Sequence, residues 1–212
     1  MPAEILKVTP EAPEQRVVDY AASFIQRGRV VGTPTDTFYG LCADPFNLAA
    51  IGRVYEVKGR PESKALPILV NSVEQAVGLV RDIPDSFLNL ANRYWPGALT
   101  IVLEATHRIP LKVTGNTGRV AVRWANSKVT SEIIDAVGGP ITGTSANLSG
   151  MPACTNAADL LMQLGDRLPL ILDAGDTRAV VPSTIVRLEG DEWMIIREGA
   201  ISEADIEKTL NA

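Results

Sequence analysis

A single histidine, His107, and two cysteines, Cys42 and Cys154, are all that 212 residues offer of the side chains most used for metal binding and nucleophilic catalysis. One histidine permits a Ser-His-Asp triad only around that position and excludes a histidine-rich zinc centre. His107 lies in Ala-Thr-His-Arg-Ile-Pro, a polar connection, and reads as an exposed residue. The two cysteines form no close-spaced ligand pair and read as free thiols in a reducing compartment. No apolar run approaches the roughly 20 residues that a membrane span needs. The N-terminus lacks a basic region before an apolar core, so the cytoplasm is the expected compartment and no membrane is expected as a partner. A basic surplus is missing too. With 20 Lys and Arg against 25 Asp and Glu, the net charge of −5 argues against a bulk nucleic-acid binder while leaving room for a local basic pocket. Neither a GxxxxGK(S/T) loop nor a GxGxxG turn opening a helix is present, so a bound nucleotide must be held by discrete cations and turn backbone.

What is there reads as alternating helices and strands in one domain. Glu14 to Arg27 places Val17, Val18, Ala21, Ala22 and Ile25 on one helical face, with Gly28 as the stop. Arg29 to Thr33 predicts a short buried strand. Asn47 caps a predicted helix ending near Gly59, Leu66 to Val70 is a strand, and Val73 to Val80 and Ser86 to Tyr94 are helices. After the Trp95-Pro96-Gly97 turn come strands at Leu99 to Leu103 and Val120 to Arg123, then a helix from Lys128 to Val137. Ala157 to Leu164 is helical and Leu170 to Leu172 a strand. Thr184 to Leu188 and Trp193 to Arg197 flank a hairpin turn, and Ser202 opens a terminal helix. The late hairpin makes the sheet mixed, giving an α/β fold with helices around it.

Three polar segments interrupt this pattern at the ends of apolar runs: Pro34 to Gly40, Lys58-Gly59-Arg60-Pro61 and Gly143 to Gly150. Lys58 and Arg60 cannot share a helical face, but in an extended stretch before Pro61 they could point into one cleft; equally, they could do no more than complement a helix dipole. Thr144, Ser145, Asn147 and Ser149, bracketed by glycines, can form an anion nest or an ordinary solvated loop. Pro34 to Thr37 and Pro182 to Val186 carry the same two readings. Arg123 ends an apolar strand, where a guanidinium needs a partner, and Arg197 is placed similarly.

Taken together, the segments resemble the YrdC-type family, the threonylcarbamoyl-AMP synthases. The matching stretches are Pro34 to Leu41, Lys58-Gly59-Arg60-Pro61, Trp95-Pro96-Gly97, Val120 to Arg123, Ser145 to Gly150, Pro182 to Ile185 and Arg197-Glu198-Gly199. They stand in the family's order across about residues 14 to 200. The chain departs from common family patterns at Ala65-Leu66, where many members have Pro-Leu, at Leu69, where some have histidine, and at Trp124, where proline is common.

The resemblance implies a twisted, open, mostly β sheet flanked by helices around a concave basic cavity. It implies one catalytic domain over 14–200, with a C-terminal helix over 201–212 packed on it, as in the short single-domain members. The implied reaction joins L-threonine, bicarbonate and ATP into threonylcarbamoyl-AMP and pyrophosphate, for threonylcarbamoyl modification of tRNA. The implied nucleotide contacts are Lys58, Arg60, Ser145, Asn147 and Arg197, with Lys58 and Arg60 as the catalytic cations; the implied threonine contacts are Thr35, Arg123 and Ser183. Magnesium is expected only as a phosphate-bound ion, with no protein metal ligands. Expected partners are downstream tRNA-modifying transferase proteins, with a weak RNA contact allowed. A non-catalytic RNA-binding module and a carbamoyl-transfer domain with another acceptor are the alternatives.

Overall fold

The structure, a computed structural model, describes residues 2–177, 181–190 and 192–211. Among the described residues, eleven strands and seven helices alternate along most of the sequence. The strands divide into two mixed sheets rather than one continuous sheet.

The five-stranded sheet contains β1 (Glu4–Lys7), β2 (Val31–Thr33), β3 (Gly40–Cys42), β8 (Thr144–Ser145) and β9 (Leu170–Asp173), in the order β1-β9-β2-β3-β8. The six-stranded sheet contains β4 (Ile68–Val70), β5 (Leu99–Glu104), β6 (Arg119–Trp124), β7 (Ile141–Thr142), β10 (Thr184–Glu189) and β11 (Glu192–Arg197), in the order β11-β10-β5-β6-β4-β7. The expected hairpin is present as antiparallel β10 and β11, but β5 and β6 are also antiparallel.

The chain crosses between the sheets at Gly143, the single residue separating β7 from β8. A Cβ there would lie 2.3 Å from Leu69 Cγ, while the Gly143 amide donates to the Pro67 carbonyl at 2.8 Å. Only a residue without a side chain lets the crossing pass so close to β4. On the other side of the crossing, Thr142 binds Ala43 in both directions, its amide donating to the Ala43 carbonyl and its Oγ1 accepting from the Ala43 amide. The sheets are thereby fixed against each other at one corner.

The helices are α1 (Gln15–Gln26), α2 (Leu48–Lys58), α3 (Val73–Val77), α4 (Asp85–Tyr94), α5 (Lys128–Val137), α6 (Ala157–Leu164) and α7 (Glu203–Leu210). The predicted face of α1 is the buried one. Asn47 caps α2 by accepting from the Ala49 and Ala50 amides, and Ser202 caps α7 by accepting from Asp205. Three predicted elements are shorter than expected by two residues or more: β2 starts at Val31 rather than Arg29, and β4 and α3 are cut as well. β4 begins after Pro67, which has no amide to give to a ladder, and α3 stops at Gly78. The α7 helix buries Ile206, and Asp205 and Thr209 meet the Tyr94 hydroxyl of α4 at 2.9 Å.

In β5, β6 and β10 the alternate residues Leu99, Ile101, Leu103, Val120, Val122, Val186 and Leu188 enter the main apolar core. Their neighbours face the other way, toward the space between the sheets, as the two-residue period of a strand requires.

Candidate active site

That opposite face is the floor of a cavity of about 750 Å³, within the range of small-molecule sites. Thr35, Arg60, Arg123, Ser145, Asn147, Ser183 and Arg197, drawn from six separate stretches of sequence, all line it. Lys58 does not. Six cationic side chains line the cavity, Arg60, Lys64, Arg119, Arg123, Arg187 and Arg197, and among the described residues no carboxylate does. A chain of net charge −5 therefore gathers positive charge at one place.

Arg123 is held on three sides. Its Nε donates to the Gly97 carbonyl at 2.9 Å, Nη1 to Thr37 Oγ1 at 3.0 Å and Nη2 to Asp36 Oδ1 at 2.6 Å. The expected partner of the buried guanidinium is thus internal, and the Trp95-Pro96-Gly97 turn serves to supply one of its acceptors. Each Nη keeps one N–H for a ligand, since guanidinium carries five donors. Thr35 Oγ1 donates to the Phe38 carbonyl at 2.7 Å and lies 3.2 Å from Thr37 Oγ1, closing the Pro34 to Gly40 segment into a compact turn.

Ser183 and Arg197 meet directly. Arg197 Nη2 donates to the Ser183 carbonyl at 2.7 Å and to its Oγ at 3.2 Å, while Ser183 Oγ lies 2.9 Å from Thr100 Oγ1. Burial and the neighbouring Arg123 charge both lower the Arg197 pKa. Two cations this close favour an anion between them.

Lys58 and Arg60 do not share an extended stretch. Gly59 between them is the left-handed C-cap of α2, with φ of 58°, and turns the two side chains apart. Lys58 is 2% exposed and runs behind the cavity wall. Its ammonium donates to the Ser145 carbonyl, and at 3.1 Å to both the Asn147 carbonyl and Asn147 Oδ1. Ser145 Oγ donates to that same Oδ1 at 2.7 Å, and Asn147 Nδ2 donates to Leu148 and Met151 carbonyls. Lys58 therefore holds the Ser145 to Asn147 turn and does not compensate its own helix end. Burial, aided by repulsion from Arg60, pushes the Lys58 ammonium down to about 7. Arg60 itself reaches the cavity, anchored by Nη2 donating to the Ala65 carbonyl at 3.0 Å.

Sequence reasoning passed over Asp36, Thr37, Arg119 and Arg187. The last two were signalled: Arg119 stands four residues before Arg123, and Arg187 four after Ser183, so each pair shares a strand face. Asp36 carried no such signal, because its partner lies 87 residues away. Among the described residues no group of three or more His, Cys, Asp or Glu could hold a metal ion. Cys42 and Cys154 are both free and buried, with burial raising their thiols to about 12 and about 11. His107 is exposed. No helix among the described residues is long and apolar enough to cross a membrane.

Residues 23–199 match the family model of Sua5, YciO and YrdC, described as "Telomere recombination". The chain is 37% identical over 202 residues to a threonylcarbamoyl-AMP synthase of Pyrococcus abyssi, covering 94% of this chain and 59% of that protein. It is 35% identical over 200 residues to a putative threonylcarbamoyl-AMP synthase of Mycobacterium tuberculosis, covering 93% of this chain and 92% of the relative. The crystal structure of Pyrococcus abyssi Sua5 complexed with L-threonine superposes with a TM-score of 0.94 at 36% identity, over 98% of this chain and 61% of that one. The chain thus spans about six tenths of the Pyrococcus abyssi protein and nearly the whole of the mycobacterial one.

Proposed function

This chain belongs to the Sua5/YciO/YrdC family, and on that premise we propose that it is a threonylcarbamoyl-AMP synthase acting in the modification of tRNA. The observation that carries the proposal is the cavity in which seven of the eight expected ligand-contacting residues meet, lined among the described residues by six cations and no carboxylate. Relatives bearing that name at 35–37% identity, and the threonine in the Pyrococcus abyssi structure, supply the substrate class.

The threonine amine and bicarbonate condense to a carbamate and water. A carbamate oxygen then bonds to the α-phosphorus of ATP, and the bond from that phosphorus to the oxygen bridging to the β-phosphate breaks, releasing pyrophosphate. Such a transfer needs alignment and charge neutralisation rather than a protein nucleophile, which suits a site with no histidine in it. The two N–H groups left on Arg123 bind the threonine carboxylate, as a fork binds a carboxylate. Asp36 and Gly97 fix that fork before substrate arrives. Thr35 and Ser183 take the remaining polar groups of the amino acid. Arg197, hydrogen-bonded to Ser183, is the cation we assign to the charge that develops where carbamate and α-phosphate meet. Ser145, Asn147 and Arg60 face the nucleotide. Lys58 serves that wall from behind by fixing the Ser145 to Asn147 turn, and Arg60 is the cation that reaches phosphate. ATP enters as its magnesium complex, the ion held by phosphate and water. Downstream tRNA-modifying transferase proteins would consume the product.

Incubating the purified chain with ATP, L-threonine and labelled bicarbonate tests the proposal. Label should appear in an adenylate, with one pyrophosphate released per adenylate and none without threonine. Pyrophosphate release indifferent to threonine would overturn it.

A further inference from the structure

A second concave site lies apart from the cavity between the sheets and shares no lining residue with it. It encloses about 360 Å³, and among the described residues its charged lining is three arginines, Arg29, Arg53 and Arg167, with one carboxylate, Asp166. The arginines come from distant parts of the chain: the turn from α1 into β2, the body of α2, and the turn from α6 into β9. Val30 and Leu168 line it as well and belong to the main apolar core. The site therefore rests on close-packed structure rather than on a loose surface.

Local geometry brings the three together. Arg29 follows Gly28, whose φ of 73° is left-handed and where a Cβ would lie 2.9 Å from Asn47 Nδ2. That turn presses on the N-cap of α2 and sets Arg29 beside the first turn of the helix, where Ala49 lines the site. The helix N-terminus adds its own positive potential there. Arg167 is pinned by Nη1 donating at 3.1 Å to the Val57 carbonyl, one helical turn beyond Arg53. Arg53 holds Glu56 at 3.0 Å, but their side chains are 52% and 69% exposed, so water competes easily for that contact. Among the described residues Arg29, Arg167 and Asp166 form no ion pair.

Three guanidinium groups gathered against one lining carboxylate repel one another, and an anion between them turns that repulsion into attraction. Each guanidinium offers paired N–H donors in a fixed fork. Forks converging from three elements suit the several oxygens of a tetrahedral phosphate better than the two of a planar carboxylate. Asp166 in the lining and Glu56 on Arg53 confine the positive potential to the concavity, whereas a nucleic-acid backbone needs an extended basic strip. We propose that Arg29, Arg53 and Arg167 form a binding site for a single phosphate group, free or as a phosphomonoester, separate from the cavity between the sheets. The site does not depend on the proposed reaction.

Backbone amide resonances of the intact, isotope-labelled chain read this site apart from the other cavity. During titration with inorganic phosphate, and separately with glycerol 3-phosphate, the amides of Gly28, Arg29, Ala49 and Leu168 should shift together to saturation, with ionic strength held constant by chloride. Saturation by either probe supports the site, and the tighter of the two names the source of the phosphate. In the Arg29→Gln/Arg167→Gln variant the affinity read at Gly28 and Ala49 should fall by about tenfold or more. Shifts at Thr35 and Ser145, which line the other cavity, should titrate as in the parent. Asp166→Asn, which removes the competing carboxylate, should tighten binding. If the double variant does not fold, Arg29→Gln alone, at an exposed position, should show a smaller loss in the same direction. Shifts reproduced by chloride alone, or unchanged affinity in a folded variant, would overturn the assignment. So would shifts at these amides with an RNA oligonucleotide but with neither phosphate probe.

Discussion

Arg123 is 6% exposed, and each of its three protein contacts holds a different nitrogen of the guanidinium. A lysine there cannot reproduce three divergent donors and still offer a pair to a carboxylate. Arg123→Lys should therefore raise the KM for threonine tenfold or more in steady-state assays while leaving the KM for ATP near the parent value. Asp36→Ala removes the carboxylate paired with that buried cation, in a contact whose partners are 8% and 16% exposed. Breaking a buried pair from one side costs on the order of 3 kcal/mol, to be read from urea denaturation. Lys58 titrates in the opposite sense to most lysines. Its folded pKa of about 7 lies below its ordinary value of 10.5, because burial disfavours the ammonium. Below pH 7 the native and unfolded chains both hold the proton and the burial cost is present in full. Between 7 and 10.5 the unfolded chain holds a proton that the native chain has lost, so stability rises with pH in that window. Relative to Lys58→Met, the parent should gain stability in denaturation curves between pH 6 and pH 9.

At the scale of elements, helices with a buried apolar face and a capping residue were legible from sequence alone: α1 by its period, α2 and α7 by Asn47 and Ser202. The strands missed were β1, β3, β7 and β8. β1 is exposed at three of four positions and exists because β9 pairs with it, while β3, β7 and β8 have two or three residues each. Elements that short are made by their partners, so no local pattern announces them. Gly143 belongs to this scale as well. Reading it as a flexible end of a polar turn missed its contact with Leu69, which only the sheet crossing creates. Gly143→Ala should destabilise by about 1–3 kcal/mol through overpacking, and adding Leu69→Ala should recover part of that loss, as measured by thermal melting of the single and double variants.

For the molecule as a whole, the segments that line the cavity could be named from sequence, whereas their meeting at one place could not. Ser145 and Asn147 stand on or just beyond β8 of one sheet, and Arg123, Ser183 and Arg197 on or beside strands of the other, so their meeting depends on how the sheets pack. The charge distribution also emerges only here: among the described residues, six cations surround one cavity in a chain of net charge −5. Cations focused in a cleft attract a polyanion more strongly at low ionic strength. The affinity for ATP should accordingly fall with added salt in calorimetric titrations, while that for zwitterionic threonine changes little.

If one cavity holds both substrates between the two sheets, a crystal of the protein soaked with L-threonine and a non-hydrolysable ATP analogue will show them together. Both ligands should lie in that cavity, with the threonine carboxylate on Arg123 and the nucleotide against Ser145 and Asn147. Either ligand bound elsewhere on the molecule, with the cavity residues untouched, would contradict it.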